Sequence, residues 1–191
     1  MILSHYSLQY QYLSEILRWR AQTTPDHPLF TLINAKALPA ATVSCIQLHK
    51  KAERIGCMLM DKAKLNTGDH VALIYPPGLD LISAFYGCLY AGMVPVTIRP
   101  PHPQNISTTL PTVKMIVEVS KSVAILTHNP IVRMMKSKEA VGIVDPKSWP
   151  VILDTDDLPK RKLAVVYRAP TAEMICYLDF RYNFYFQSSW V

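Results

Sequence analysis

Asp154, Asp156 and Asp157 close the apolar run Val151-Ile-Leu153, and of all the residues in this chain their spacing comes nearest to chemistry. Two carboxylates one residue apart at a strand end can work on phosphorus. The first would act as nucleophile and the second as general acid, with Mg²⁺ screening both. The remainder of such a site is missing. Asp157 and Leu158 stand where a Gly-Thr turn would be expected, and the stretch after Asp157 is too short for a downstream lysine and further metal-binding acids. The sequence therefore predicts solvated carboxylates at a strand end.

Other constellations are weaker still. A hydrophobic strand ending in D-x-D resembles the first motif of haloacid-dehalogenase-like phosphatases, but that motif opens its fold and here it lies near the end. No G-x-G-x-x-G or G-x-x-x-x-G-K-[ST] loop occurs, and six glycines leave little material for either. Ser107-Thr108-Thr109 runs into Leu110-Pro111 and reads as a helix N-terminus. His49, His70 and His102 have no Ser, Cys or acidic neighbour at catalytic spacing. Cys45, Cys57, Cys88 and Cys176 form no C-x-x-C pair, so reduced thiols in an intracellular chain are expected. No catalytic, cofactor-binding or metal-ligating residue is assigned from these patterns.

Charge narrows the function classes. Twenty Lys and Arg against fourteen Asp and Glu give +6, split evenly at +3 in residues 1–100 and +3 in residues 101–191. Nucleic-acid binders concentrate such charge, and the densest run, Lys160-Arg161-Lys162, follows three aspartates. No nucleic-acid partner is expected. Leu81 to Ile98 is free of charge for 18 residues, the lower limit for a membrane span, but Gly87, Gly92 and Pro95 interrupt it. It reads instead as a helix capped by a left-handed Gly92, running into a strand. With no basic n-region at the start, a cytoplasmic location is expected.

The elements that position these residues follow from periodicity. Residues 7–22 carry apolar positions at Leu8, Tyr12, Leu13, Ile16 and Leu17, predicting a helix stopped before Pro25. Pro28–Ile33 reads as a strand. Ser44-Cys-Ile-Gln47 is a capping box opening a helix with Leu48, Ala52, Ile55 and Leu59 inward and Lys50, Lys51 and Arg54 on a solvated face. A turn at 66–69 leads to a strand at 70–75, then a helix at 79–91 whose Ser83, Ala84, Gly87, Cys88 and Ala91 form a flat face suited to close packing on a sheet. A strand at 93–98, a helix at 107–121 with Pro111 near its start, and a strand at 123–127 follow. A short helix at 130–138 and strands at 151–153 and 174–178 complete the pass, with 140–173 the least regular stretch. Strands alternating with helices predict an α/β fold, a mainly parallel sheet flanked by helices.

The wording of several segments goes further. T-P-D-H-P-L-F at 24–30 and G-D-H-V-A-L-I-Y-P-P-G-L-D-L-I-S-A-F-Y-G-C-L-Y-A-G-M-V-P-V at 68–96 resemble the N-terminal subdomain of adenylate-forming enzymes. R-P-P-H-P-Q-N at 99–105, T-T-L-P-T-V-K-M-I-V-E-V-S at 108–120 and L-D-T-D-D-L-P at 153–159 resemble the disco-interacting protein 2 family, whose members carry domains similar to fatty-acyl-AMP ligases. The resemblance covers about residues 24–180 and accounts for D-x-D-D as a family segment. It implies that a complete module takes fatty acid, ATP and Mg²⁺ and makes acyl-AMP.

It also sets an expectation for the end of the chain. In the family, the strand at Tyr177-Leu-Asp-Phe180 leads into a Ser/Thr-rich, Gly-containing phosphate loop. Here residues 181–191 hold no glycine and five of the chain's 18 aromatics. Residues 1–180 are thus expected to be an incomplete AMP-binding subdomain and 181–191 a divergent aromatic tail of a truncated product. Such a chain is expected to bind no cofactor and to lack adenylating activity by itself; the alternative is a non-catalytic protein-interaction module or regulatory short isoform.

Overall fold

Short, nearly continuous apolar runs make the central strands, because a parallel sheet covered on both faces buries the side chains that leave by either face. The computed structural model describes residues 11–158 and 166–180. Its main sheet comprises β3 (His70–Ile74), β4 (Val94–Ile98), β5 (Ala124–Thr127), β6 (Val151–Asp154) and β7 (Leu178–Asp179), in the order β6-β5-β3-β4-β7. All four pairings are parallel, with Ala72 opposite both Val96 and Ile125. This is the expected α/β architecture. A separate antiparallel ribbon pairs β1 (Pro28–Ile33) with β2 (Pro39–Ser44).

Helices cover both faces. On one, Val71, Leu73 and Tyr75 meet α2 (Cys45–Cys57), the π-helical turn Met58–Lys62 and α3 (Leu79–Ala91), through Ile55, Met58, Leu59, Ala84, Cys88 and Ala91. On the other, Ala72, Ile74, Val96 and Ile125 meet α4 (Ile106–Val119) and α6 (Lys138–Ile143), with α5 (Asn129–Met135) between them in sequence. The inward residues of α4 are Ile106, Leu110, Val113 and Val117, one stripe at helical spacing. Full burial of each such side chain contributes about 1.5–3 kcal/mol.

The Ser44 capping box forms as expected, with the Gln47 N–H donating to Ser44 Oγ and the Ser44 N–H donating to Gln47 Oε1 at 2.9 Å. Gly92 ends α3 at φ 72°, and the Met93 N–H reaches back to the Cys88 carbonyl. Both features are legible in the sequence because each is a local rule of the backbone.

Several expectations are corrected. Helix α1 spans Leu13–Thr23, not residues 7–22, of which 7–10 lie outside the described residues. Tyr12 caps it, with Glu15 Oε2 accepting from the Tyr12 N–H. Its buried face is Ser14, Leu17 and Ala21, while Leu13 and Ile16 are exposed. The reason is tertiary: α1 lies along α2 and α3, and Ser14 Oγ stands 3.3 Å from Tyr167 Oη. Strand β2 is an addition to the expected elements, since its Ala-rich run is exposed and carries no alternation.

Pro111 sits at the sixth position of α4, where its ring nitrogen cannot donate to the Ser107 carbonyl. A strand over 174–178 shrinks to Leu178–Asp179, because a turn closed by the Met174 N–H on the Thr171 carbonyl precedes it. The small-residue face of α3 divides its contacts. Ala84, Cys88 and Ala91 look to the sheet, but a Cβ on Gly87 would stand 2.5 Å from Ile55 Cγ2. Gly87 therefore admits α2, not the sheet. The run Lys160-Arg161-Lys162 and the tail 181–191 lie outside the described residues.

Candidate functional site

In open parallel sheets, ligands gather at the carboxyl ends of the strands where successive connections depart to opposite faces. Here β3 leads to α3 on one face and β4 to α4 on the other, so the crevice opens between these strands. Two rigid exits bound it, Tyr75-Pro-Pro-Gly78 and Arg99-Pro-Pro101, with the Arg99 side chain exposed.

A hydroxyl network ties this edge together. Thr127 Oγ1 donates to the Ile74 carbonyl at 2.6 Å, joining β5 to β3. Thr155, just past β6, donates its N–H and its Oγ1 to the Thr127 carbonyl at 2.8 and 3.1 Å. Tyr75 Oη lies 2.9 Å from Thr155 Oγ1, closing a bridge across three strand ends. Burial pushes the Tyr75 phenol well above its ordinary value, partly opposed by that hydrogen bond. The His128 ring stacks on Tyr75 with centroids 5.7 Å apart, and its Nδ1 is buried without a partner.

The aspartates belong to this edge but do not form a catalytic pair. Asp154 Oδ2 accepts from Asn129 Nδ2 and Oδ1 from the Asp156 N–H, both at 2.9 Å. Asp156 Oδ2 accepts from the Asn129 N–H at 2.9 Å. Both oxygens of Asp154 thus accept hydrogen bonds at the β5–α5 junction. The carboxylates are not merely solvated; Asp154 is half-buried and pinned. Among the described residues no three His, Cys, Asp or Glu side chains stand together as a metal site.

The remaining candidates are placed apart. His49 Nδ1 lies 2.9 Å from Tyr90 Oη and its Nε2 3.4 Å from Glu53, an acidic partner one helical turn on. His70 Nδ1 bonds the Ser120 carbonyl, and His102 accepts the Gln104 N–H. Cys45, Cys57 and Cys88 are buried free thiols and Cys176 is exposed; burial pushes the Cys88 thiol up. Sequence reasoning missed the Tyr75–Thr155–Thr127 bridge. The available signal was a hydroxyl residue at the carboxyl end of each of three predicted strands. The uncharged stretch Leu81–Ile98 folds as helix and strand, and no helix among the described residues is long and apolar enough to cross a membrane.

This sheet order with this crevice defines the class: a portion of an adenylate-forming enzyme domain. The fatty acid AMP ligase from Legionella pneumophila matches with TM-score 0.74 and 28% identity, over 92% of this chain and 29% of that one. A fatty acyl-adenylate ligase from L. pneumophila, solved in complex with acyl adenylate and pyrophosphate, matches with TM-score 0.71 and 27% identity, over 89% of this chain and 28% of that one. The chain belongs to the AMP-binding enzyme family, whose model matches residues 17–180. Disco-interacting protein 2 homolog A of Mus musculus is 62% identical over 172 residues, which is 90% of this chain. The chain spans about 11% of that relative's length.

Proposed function

We propose that this chain supplies the first wall of a fatty-acyl-AMP-ligase-like module in the cytoplasm, and that its 191 residues form no acyl adenylate by themselves. In the module, a fatty-acid carboxylate attacks the α-phosphate of ATP, and pyrophosphate leaves. The α-phosphate gathers negative charge in that step and needs preorganised donors around it. The observation that carries the reading is the crevice between β3 and β4. Its β3 wall is tied to β5 and β6 by the Tyr75, Thr155 and Thr127 bonds, and residues 143–191 hold no glycine. Fatty acid and ATP are the substrates of the module, and this chain contributes the scaffold.

Exchange of labelled pyrophosphate into ATP with a panel of fatty acids tests it directly. No exchange above a protein-free control is expected, and exchange above that control overturns the reading. A second reading, a non-catalytic interaction module, is favoured by the exposed Ile175, Tyr177 and Phe180 around β7. Capture of the full-length protein by this chain in a pull-down, absent with a Tyr177→Ser variant, would support it.

A further inference from the structure

A groove of about 480 Å³ lies outside the crevice, between α2 and the turn that follows β6. Gln47, Lys50, Lys51 and Arg54 form one wall, and Thr155 and Asp156 stand in the other. The four α2 residues fall at i, i+3, i+4 and i+7, which aligns them in a single stripe. The sequence suggested a solvated helix face, but two of its cations are held in place. Arg54 Nη2 donates to the Leu158 carbonyl at 3.1 Å across the groove, and Lys51 Nζ pairs with the Asp80 carboxylate. Lys50 is exposed and has no hydrogen-bond or ion-pair partner among the described residues. Asp156, the one carboxylate in the lining, already accepts the Asn129 N–H.

We infer that this groove binds a small molecule through a phosphate or pyrophosphate group. Its volume is ordinary for a small-molecule site. Arg54, exposed at the groove, donates Nη2 to the Leu158 carbonyl across it, and the planar guanidinium with its five N–H donors suits phosphate oxygens. Lys50 supplies a mobile charge one turn away on the same stripe. Three cations against Asp156 in the lining and Asp80 at the rim leave the groove positive. Thr155 is a shared residue, since its hydroxyl faces Tyr75.

The test is calorimetric titration of inorganic pyrophosphate into the full chain, beside Lys50→Gln and Lys50→Arg variants. Lys50 is exposed, so unchanged melting of both variants is the control for folding. The expected result is saturable binding that weakens about tenfold in Lys50→Gln, is retained in Lys50→Arg and falls with added salt. A parallel arm offers vesicles of phosphatidylcholine with and without phosphatidic acid. No uptake of pyrophosphate, equal binding by Lys50→Gln, or binding to phosphatidic-acid vesicles alone would each overturn the assignment. Groove binding and adenylation fail separately, because titration needs no turnover and exchange needs no Lys50.

Discussion

The two faces of the central sheet are built on opposite principles. On the α2–α3 face, backbone approaches backbone. A Cβ on Gly87 would stand 2.5 Å from Ile55 Cγ2 and 2.7 Å from Ile55 Cβ, and one on Gly56 would stand 2.5 Å from Val166 Cγ1. On the α4–α6 face, side chains fill the space. Leu110, Val113 and Val117 point inward, Met115 and Val119 remain exposed, and Gly142 has nothing within 4 Å of its would-be Cβ. The close approach of α2 and α3 leaves no space for a side chain at Gly56 or Gly87, whereas Gly142 is exposed and opens on solvent. The α2–α3 face also carries the buried titratable hydroxyls and thiol: Tyr75, Cys88 and Tyr90.

The largest test of this contrast is alkaline pH. Burial raises the folded-state pKa of Tyr75, Cys88 and Tyr90 above ordinary values of 10.0, 9.0 and 10.0. Each contribution is fully present below the unfolded pKa and is lost as pH climbs from that value toward the folded one, because only the unfolded chain ionises in this window. Above about pH 9 for the thiol and pH 10 for the phenols, each group lowers stability by about 1.4 kcal/mol per pH unit. Denaturant midpoints should therefore drop steeply from about pH 9 to about pH 11, and a Cys88→Ala variant should delay the onset. A flat profile over that range would place these groups in water.

The next effect is steric. Gly87→Leu should cost up to about 2 kcal/mol net, as overpacking against Ile55 outweighs roughly 1 kcal/mol of improved helix propensity. A thermal midpoint at or above the parent's would undo the close approach of α2 and α3. The same logic reverses on the far face. Gly142→Ala should stabilise by up to about 1 kcal/mol, since α6 gains helix propensity and the methyl meets nothing. A lower midpoint would show that a Cβ at position 142 meets a neighbour after all. A comparable effect is expected at the carboxyl edge. Asp154→Asn keeps one acceptor and turns its NH2 toward the other donor, so it should cost about 1 kcal/mol. The variant and the parent should be equally inert toward p-nitrophenyl phosphate with Mg²⁺; hydrolysis by the parent alone would restore a catalytic Asp154.

Legibility in the sequence followed the range of the forces involved. The run from His70 to Ile98 was readable almost to the residue, because short apolar runs, the Pro76-Pro77-Gly78 break and the Gly92 cap are local. The buried face of α1 was not readable. Its exposure of Leu13 and Ile16 depends on packing that includes Tyr167, near the opposite end of the chain. The partner of Gly87 was misread for a related reason: a stripe of small residues says that something comes close, and only the tertiary fold says what. At the candidate site, the aspartates drew attention by their type, whereas the working contacts are three hydroxyls on separate strands. Hydroxyl residues are common at strand ends, so nothing short of the sheet order singles these out.

The two-residue strand β7 has a kinetic consequence. Ala72 finds Val96 across the single helix α3, whereas Thr97 and Asp179 are separated by 82 positions along the chain. Closing the longer loop costs about 1 kcal/mol more in chain entropy, set against two backbone pairings, Val96–Leu178 and Thr97–Asp179, and the Thr97–Asp179 side-chain bond. The centre of the sheet is therefore positioned to assemble early and β7 late, with β7 also the first strand to let go. Amide exchange should be quickest there, so that strand registers the sheet's transient openings while β3 records its global unfolding.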